Sequence, residues 1–342
     1  MQASRELICR VDGGISLGIG HLQRSVVLNA ELKSEFNVSY YIREDDTGYD
    51  YLENAGLKTF RIPAGRDERE EAEILLSGNS KISAPIVLLD ILDTSKSYMA
   101  ALKRYCSKIV TFENMGPGAS MAELVINAIV EGPESKDFVL NGTRYLKGAR
   151  HKVLSPDFNI NYSTKKKDKN PRIIVTLGGG DLAGILPKVL RAIADTKKDI
   201  NVTAIAGPAY QGFETLKRDV RGLSLKIDLR KEVSNMAKEL SGVDIAITAG
   251  GGTLYEIAFM GVPGIVTCQC DHQQVNAAQF EKRGAVINLG DSLNVTSGMI
   301  TEAVSRLLGD PEKRKEMSEK GMRLIDGEGR RRVSHAIKEL GI

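Results

Sequence analysis

The sequence predicts an α/β protein built from two domains with parallel sheets. Three observations support this prediction: the length of 342 residues, the alternation of short apolar runs with helical patterns, and one polar interruption of that alternation. At about 100 to 200 residues per domain, this length fits two domains, each with its own core. Apolar runs of strand length separated by amphipathic stretches are typical of βα repetition, and hence of parallel sheets.

Both halves of the chain carry this pattern. In the N-terminal half we predict strands over residues 7–11, 38–42, 86–89 and 109–112. The C-terminal half begins with RIIVTL and continues with predicted strands over 202–206, 225–227, 245–248, 264–267 and 286–289. Three helical patterns then follow at 296–308, 311–324 and 330–340. Because one face of a sheet does not need three consecutive helices, we expect one of them to cross back to the first domain.

A polar and basic stretch, NINYSTKKKDKNP, separates the two halves at residues 159–171. It lacks apolar periodicity and ends in proline, which is typical of a linker. We therefore predict an N-terminal domain over 1–160, a C-terminal domain over 171–325 and a final segment, 326–342, that returns to the first domain.

Composition excludes several classes of function. The net charge is only +3, from 47 Lys and Arg against 44 Asp and Glu, so no nucleic-acid partner is expected. Tryptophan is absent and aromatic residues make up 5%, so any bound sugar is expected to be held through polar groups. No apolar run reaches the length of a signal peptide or a membrane span, so we expect a cytoplasmic protein that spans no membrane. The residues give no signal of oligomeric state.

Three glycine-rich segments directly follow predicted strands, where parallel sheets bind ligands. They are GGISLGIGH at residues 13–21, the triplet Gly178-Gly179-Gly180 and the triplet Gly250-Gly251-Gly252. Without Cβ atoms the backbone can approach an oxyanion, and the N–H groups of a following helix carry partial positive charge. We interpret both triplets as candidate phosphate cradles, with tight βα turns as the structural alternative. Neither fits GxxxxGK[ST], which argues against a P-loop ATPase.

Two further patterns follow the third glycine-rich segment. Thr253-Leu254-Tyr255-Glu256 is either a capping box or a site in which Glu256 accepts hydrogen bonds from a ribose. The run Cys268-Gln269-Cys270-Asp271-His272 is too tightly spaced for a typical structural zinc site, and no CxxC pair occurs, so no metal is expected. The amides of Gln273 and Asn276 lie about one helical turn apart, where they could bond a sugar or phosphate.

His21 is the strongest catalytic candidate, because it begins a helix behind a glycine-rich turn. A helix N-terminus favours the neutral imidazole, which can take a proton. Arg24 lies on the same helix face and could meet a phosphate or carboxylate, although a solvated arginine fits equally well. Asp12 ends the first strand and is expected at the same ligand-binding edge as His21.

Five motifs together resemble one known family, the UDP-sugar hydrolases of the pseudaminic acid pathway, which are similar to the MurG-like GT-B glycosyltransferases. The motifs occur in the family's order over nearly the whole chain: RVDGG at 10–14, GIGHLQR at 18–24, TLGGGD at 176–181, AGGGTLYE at 249–256 and QQVNA at 273–277. The chain departs from the family after PIVLL, where Asp90-Ile91-Leu92 lacks the tyrosine usual near the sugar, and at Phe112-Glu113-Asn114, where paired acids are usual.

This resemblance implies a GT-B architecture, with two Rossmann-like domains facing each other across a cleft. It implies that UDP binds mainly to the C-terminal domain, with Glu256 on the ribose and both glycine triplets on the diphosphate. Thr253 and Leu254 are further residues expected at the nucleotide. It also implies that His21 activates water for inverting attack at the anomeric carbon. No metal or other cofactor is implied. The residues expected at the sugar are Asp12, Gly20, Arg24, Asp90, Gln273 and Asn276.

The resulting expectation is hydrolysis of a UDP-linked diacetamido-trideoxyhexose to UDP and free sugar, in the synthesis of a nonulosonic acid. The alternative is a MurG-like UDP-sugar glycosyltransferase, in which the same base deprotonates an acceptor hydroxyl instead of water. A third interpretation, from a different class, is a protein that binds a nucleotide sugar without catalysis.

Overall fold

The computed structural model describes residues 5–14, 18–77, 84–129, 135–159 and 170–341. They form two compact units: unit 1 is drawn from Met1–Ser155 and Gly327–Ile342, and unit 2 from Pro156–Asp326. Each unit contains one sheet of mainly or wholly parallel strands with helices packed on it. The predicted α/β class with two Rossmann-like units is confirmed. Most of the predicted linker, and Ile15-Ser16-Leu17 of the first glycine segment, lie outside the described residues.

Unit 1 has an eight-stranded sheet in the order β3-β2-β1-β4-β5-β6-β8-β7, in which only β7 runs antiparallel. Its strands are β1 (Arg5–Val11), β2 (Phe36–Arg43), β3 (Thr59–Ile62), β4 (Ile86–Asp90), β5 (Lys108–Phe112), β6 (Leu124–Asn127), β7 (Phe138–Leu140) and β8 (Thr143–Lys147). Its helices are α1 (Gly20–Leu32), α2 (Asp46–Asn54), α3 (Glu68–Ser77), α4 (Lys96–Leu102) and the last helix of the chain, α12 (Gly329–Leu340).

The strand order of unit 1 reverses between β1 and β4. These two strands are paired in parallel, with Val11 opposite Asp90, so their carboxyl ends lie side by side. In open α/β sheets such a reversal opens a crevice at the carboxyl ends of the strands, where ligands bind. Helix α1 begins at Gly20, after the loop that leaves β1, which brings His21 to this edge.

Unit 2 repeats the same order in a six-stranded parallel sheet, β11-β10-β9-β12-β13-β14. Its strands are β9 (Arg172–Thr176), β10 (Asn201–Ile205), β11 (Lys226–Arg230), β12 (Ile245–Thr248), β13 (Gly264–Cys268) and β14 (Val286–Asp291). Its helices are α5 (Leu186–Ala194), α6 (Phe213–Val220), α7 (Met236–Leu240), α8 (Thr253–Phe259), α9 (Asp271–Lys282), α10 (Ser297–Gly309) and α11 (Pro311–Met322).

The reversal in unit 2 lies between β9 and β12. Thr176 pairs with Thr248, so the two strands end level with each other. The glycine triplet 178–180 follows β9 and the triplet 250–252 follows β12. The two triplets therefore flank the ligand-binding edge of this sheet, as their positions after strands led us to expect.

Four strands of unit 1 were not predicted: β3, β6, β7 and β8. None has the long apolar run of a central strand, and all three residues of β7 are exposed at the edge of the sheet. The hairpin between β7 and β8 turns at Asn141-Gly142, and both residues have positive φ, 52° and 82°. This Asn-Gly turn is the local signal that could have identified the hairpin.

The chain returns to unit 1 for α12. Val333, Ala336 and Ile337 are buried in the same cluster as Leu22 of α1. Arg330 adds an ion pair to Glu31 at 2.7 Å. The core of unit 1 thus includes side chains from both ends of the described sequence.

We predict that Gly329→Ala destabilises unit 1 by about 1 to 3 kcal/mol, because the new Cβ would collide with backbone atoms of His151 and Lys152. Gly309→Ala is the matched control, since nothing lies within 4 Å of its Cβ position. Urea denaturation followed by circular dichroism should show a lower midpoint for Gly329→Ala only. Equal midpoints for both variants would contradict the packing described for the start of α12.

Candidate active site

His21 and Asp90 meet at the carboxyl ends of β1 and β4. Asp90 is the last residue of β4 and His21 the second residue of α1. His21 Nδ1 lies 2.5 Å from Asp90 Oδ1; the Asp90 side chain is 1% exposed and that of His21 is 18% exposed. A carboxylate at Nδ1 holds the ring proton there and leaves the Nε2 lone pair to accept a proton.

Arg24, one turn further along α1, is the second partner of Asp90. Its Nε donates to Oδ2 at 2.8 Å and its Nη2 donates to Oδ1 at 2.5 Å. Burial alone would raise the pKa of Asp90, but the charges of Arg24 and His21 and their hydrogen bonds outweigh it and lower the pKa to about 2. Asp90 is therefore ionised at neutral pH and can hold the His21 ring in one tautomer.

Glu113 and Lys152 continue this series of charges. The Glu113 carboxylate accepts hydrogen bonds from Arg24 Nη1 at 3.0 Å and from Lys152 Nζ at 3.4 Å. Burial would raise the pKa of Glu113, but Lys152 and Arg24 lower it well below its usual range. Glu113 has a φ of +44°, in the left-handed region that favours glycine, so its ion pairs hold a strained backbone.

Sequence reasoning did not assign a role to Glu113 or Lys152. The available signal was the position of Glu113, directly after β5, because β5 is the neighbour of β4 and the two carboxyl ends meet. Lys152 offered no comparable signal. Its place beside Glu113 depends on the fold of a segment far along the chain.

Asp12 lies at the same edge, directly after β1. Its carboxylate accepts hydrogen bonds from Arg10 Nη1 at 2.6 Å and Nη2 at 3.1 Å. Arg10 is fully buried, and its Nε donates to Glu71 at 2.7 Å. Since the Asp12 side chain is 24% exposed, it keeps surface for a ligand while Arg10 fixes its orientation.

We expected Arg24 and Asp90 to contact the substrate, but the structure places both inside unit 1. Both side chains are buried, and their polar atoms bond to each other, to His21 and to Glu113. The guanidinium of Arg24 also lies over the Phe112 ring, 4.7 Å from its centre. Burying these charges is tolerable only because they pair with each other, so they support His21 from within the unit. Gly20 is exposed, with nothing within 4 Å of its Cβ position.

The first glycine triplet of unit 2 forms a turn that is partly closed by Asp181. Gly178 has a φ of +86°, and Gly179 accepts a hydrogen bond from the backbone of Ala209 at 2.8 Å. The Asp181 carboxylate accepts from the N–H groups of Ile185 and Leu186, at 3.1 and 2.8 Å. Asp181 thus satisfies two backbone N–H groups at the start of α5 and places a carboxylate near the positive end of that helix.

The second triplet contains one glycine required by packing and two beside open space. A Cβ on Gly250 would lie 2.5 Å from the carbonyl oxygen of Gln273, so this position needs glycine for a close approach of two backbones. A Cβ on Gly251 would meet only Gln273 Nε2 at 3.9 Å, and one on Gly252 would meet nothing within 4 Å. The loop at Gly251-Gly252 is therefore accessible to a ligand.

Helix α8 does not begin with a capping box. Its first residue is Thr253, its N-cap is Gly252 and no side chain caps it. Glu256 is then the fourth residue of the helix, one position beyond the place from which a capping glutamate bonds back. Leu254 is buried and its N–H donates to the carbonyl of Gly251, so it offers a ligand no free donor. Thr253 and Glu256 are both half-buried.

The two amides expected at the sugar are bonded inside unit 2. Asn276 is buried; its Nδ2 donates to the carbonyl of Gly250 at 2.8 Å and its Oδ1 accepts from the Tyr255 hydroxyl at 2.7 Å. Gln273 Oε1 accepts from the backbone N–H of Gln269 at 2.9 Å. The expected sugar contact of Asn276 is thus replaced by a bond to the glycine loop. Tyr255 and Gln269 carried no functional signal in the sequence.

Among the described residues, no three His, Cys, Asp or Glu side chains converge as they would around a metal ion. In the CxC segment, Cys268 is buried and Cys270 Sγ lies 3.4 Å from His272 Nδ1. All four cysteines are free thiols. No helix in the described part of the chain is both long enough and apolar enough to cross a membrane.

Among the proteins that this chain resembles in sequence are ones named for glycosyl transfer and for polysaccharide biosynthesis. Residues 173–332 match the family described as Glycosyltransferase family 28 C-terminal domain. The chain is 29% identical to the spore coat polysaccharide biosynthesis protein SpsG of Bacillus subtilis, over 96% of each chain. It is 26% identical to the UDP-N-acetylglucosamine–N-acetylmuramyl-(pentapeptide) pyrophosphoryl-undecaprenol N-acetylglucosamine transferase of Carboxydothermus hydrogenoformans, over 50% of this chain and 48% of that protein.

The crystal structure of Acinetobacter baumannii MurG superposes with a TM-score of 0.72, at 16% identity, covering 98% of this chain and 99% of that one. The chain therefore shares the fold of this protein. Its fold class is GT-B, as the motifs led us to expect, and its C-terminal unit resembles the corresponding glycosyltransferase domain in sequence. The proteins compared here do not bear out the narrower expectation of a pseudaminic acid pathway hydrolase.

We predict that the protein loses stability as the pH falls from about 4 to 2. The lowered pKa values of Asp90 and Glu113 mean that the unfolded chain binds more protons than the folded one over this range. Urea midpoints measured by circular dichroism should fall with pH, and less steeply in Asp90→Asn, which has one titrating carboxylate fewer. A midpoint independent of pH in this range would contradict the ion pairs described here.

Proposed function

We propose that the protein is an inverting UDP-sugar glycosyltransferase in which His21 is the general base. The observation that carries the proposal is the hydrogen bond from the partly exposed His21 ring to the buried carboxylate of Asp90, at the ligand-binding edge of unit 1. Transfer from a sugar nucleotide needs such a base, because the acceptor hydroxyl must lose its proton as its oxygen attacks the anomeric carbon.

The reaction follows from this arrangement. The acceptor oxygen forms a bond to the anomeric carbon, its proton passes to Nε2 of His21, and UDP leaves with the electron pair of the broken bond. Attack from the face opposite UDP inverts the anomeric centre. Asp90 stays bonded at Nδ1 and stabilises the imidazolium that forms, as carboxylates do in other histidine bases. Arg24 is a positioning residue in this proposal, because its buried guanidinium bonds to Asp90.

We assign the nucleotide to unit 2. The support is the match of residues 173–332 to a glycosyltransferase C-terminal domain and the open backbone at Gly251-Gly252. Backbone N–H groups aimed at a departing diphosphate stabilise its charge. In this proposal Thr253 and the first glycine triplet complete the diphosphate site, and the Glu256 carboxylate accepts hydrogen bonds from the ribose hydroxyls.

Three substrate contacts complete the assignment. Asp12 and Gly20 are the expected contacts of the transferred sugar in unit 1, because both keep exposed surface at the edge of the sheet where His21 lies. Gln273 is the expected contact in unit 2, because it is half-buried beside Gly251.

The similar proteins favour transfer over the hydrolysis suggested by the N-terminal motifs. The Carboxydothermus hydrogenoformans relative is named as a transferase. The Bacillus subtilis relative, which matches over 96% of each chain, is named for polysaccharide biosynthesis. Hydrolysis of a UDP-linked diacetamido-trideoxyhexose, in nonulosonic acid synthesis, is the second candidate. It is supported by the motifs at 10–14 and 18–24, and it needs the same base, with water in place of the acceptor hydroxyl.

The deciding experiment incubates the protein with a panel of UDP-sugars and follows UDP by NMR, with and without sugar and lipid-linked acceptors. We expect slow release of UDP from the donor alone, acceleration by a suitable acceptor, and a product of inverted configuration. Rapid release of equal amounts of UDP and free sugar without acceptor would replace transfer by hydrolysis. UDP binding without any UDP-sugar turnover under all conditions would support the binding-only alternative.

We predict that His21→Ala lowers turnover by about 10² to 10⁴-fold, as loss of a general base does, with little change in UDP affinity. Asp90→Asn should lower turnover by about 10²-fold or more, because an amide no longer holds the proton at Nδ1. Steady-state kinetics and calorimetry separate the two effects. Near-normal turnover in folded His21→Ala protein would refute the mechanism.

Glu256→Gln should weaken UDP binding by about tenfold, because an amide accepts weaker hydrogen bonds from hydroxyls than a carboxylate does. Glu319→Gln is the control, since it makes the same change on an exposed residue of α11. Isothermal titration calorimetry with UDP measures both. Unchanged affinity in Glu256→Gln would remove the ribose contact from the proposal.

A further inference from the structure

A buried chain of hydrogen bonds lies behind the loop 250–252 of unit 2. The hydroxyl of Tyr255 donates to Oδ1 of Asn276 at 2.7 Å, and Nδ2 of Asn276 donates to the carbonyl oxygen of Gly250 at 2.8 Å. Tyr255 is 2% exposed and Asn276 7% exposed. We infer that Tyr255 is a positioning residue for the loop and acts on nucleotide affinity through Asn276. This inference rests on the proposed binding of the nucleotide to unit 2.

The geometry explains why the loop depends on Asn276. The backbone of Gly250 approaches Gln273 so closely that a Cβ there would lie 2.5 Å from the Gln273 carbonyl oxygen, so the loop lies directly on α9. Asn276, also on α9, bonds the carbonyl of Gly250 and thereby fixes the peptide group that leads into Gly251. A peptide that rotates away from this position would carry the following N–H groups with it.

Tyr255 controls which way the Asn276 amide faces. Because its hydroxyl donates to Oδ1, the amide nitrogen is turned towards Gly250, where it can donate. The ring of Tyr255 packs edge-to-face on Phe280, with centres 5.1 Å apart and an interplanar angle of 87°. This packing leaves the ring in place when only the hydroxyl is removed, so Tyr255→Phe isolates the hydrogen bond.

The alternative is that Asn276 contacts the transferred sugar of the UDP-sugar directly. The two roles differ in their effect on the binding of UDP, which lacks the transferred sugar. A sugar contact would leave UDP affinity unchanged when Asn276 is replaced and would not involve Tyr255 at all. A positioning role weakens binding of UDP itself in both variants.

The experiment measures UDP affinity by calorimetry, loop protection by amide hydrogen exchange without ligand, and kinetics with the best UDP-sugar. In Tyr255→Phe we expect the Kd for UDP to rise about five- to tenfold, as for one lost buried hydrogen bond. Exchange in peptides spanning 249–254 should speed up by a similar factor. KM for the donor should rise with the Kd, whereas kcat should change less than twofold, because the His21 and Asp90 pair of unit 1 is untouched.

Tyr98→Phe is the matched control. Tyr98 is equally buried, at 3% exposed, and its hydroxyl donates to Glu71 at 2.7 Å in unit 1. A merely structural role for Tyr255 predicts the same result in both variants, namely lower stability with unchanged UDP affinity. The variant Asn276→Ala completes a double-mutant cycle: if Tyr255 acts through Asn276, adding Tyr255→Phe to it changes the UDP Kd less than twofold.

Each outcome decides one statement. Weaker UDP binding and faster loop exchange in Tyr255→Phe, with neither change in Tyr98→Phe, support the inference. Unchanged loop exchange and unchanged UDP affinity in Tyr255→Phe overturn it, as do independent effects of the two substitutions in the cycle. Wild-type protein that binds no UDP overturns the proposed function instead, and hydrogen exchange then still decides whether Tyr255 holds the loop.

Discussion

The pairing of Asp90 with Arg24 is the interaction on which the geometry of unit 1 depends. A carboxylate buried at the end of a central strand is stable only when cationic groups and donors surround it. Both of its partners, Arg24 and His21, come from the first two turns of α1. The electrostatic requirement of Asp90 therefore fixes the register of this helix over β1 and β4, and the helix register in turn fixes the orientation of the histidine. Through Arg24 the same requirement extends to Glu113 and its left-handed backbone.

Unit 2 organises its binding edge by different means. Its loops are held by neutral amides and by close backbone contacts: Asn276 on Gly250, Gln269 on the carbonyl of Leu177, and Gly250 against Gln273. Hydrogen bonds between neutral groups cost little charge burial. In unit 1, by contrast, removing one of the paired charges of Asp90, Arg24 or Glu113 would leave its partner buried and unpaired. The proposed chemistry divides in the same way, because proton transfer needs ionised groups and a diphosphate site needs oriented N–H donors.

The sequence predicts those features that depend on local pattern. Central strands have long apolar runs because both their faces are buried, and His21 follows a glycine-rich turn that marks a βα junction. Features that depend on distant partners were not predictable. Whether Asp90 faces a substrate or Arg24, and whether Asn276 faces a sugar or Tyr255, is set by packing between segments far apart in the chain. The exposed strand β7 was missed because its three residues have no polar face to alternate with an apolar one.

The return of α12 to unit 1 has a consequence for synthesis on the ribosome. Unit 2 is continuous from Pro156 to Asp326, so all of its strands emerge before α12 is translated. Most of unit 1 emerges before unit 2, but Val333, Ala336 and Ile337 belong to the core of unit 1 and are translated after unit 2. While unit 2 is being translated, the apolar side chains of α1 that pack with α12 in the complete unit, such as Leu22, therefore lack this partner. The core of unit 1 can therefore be completed only after the whole of unit 2 has been translated.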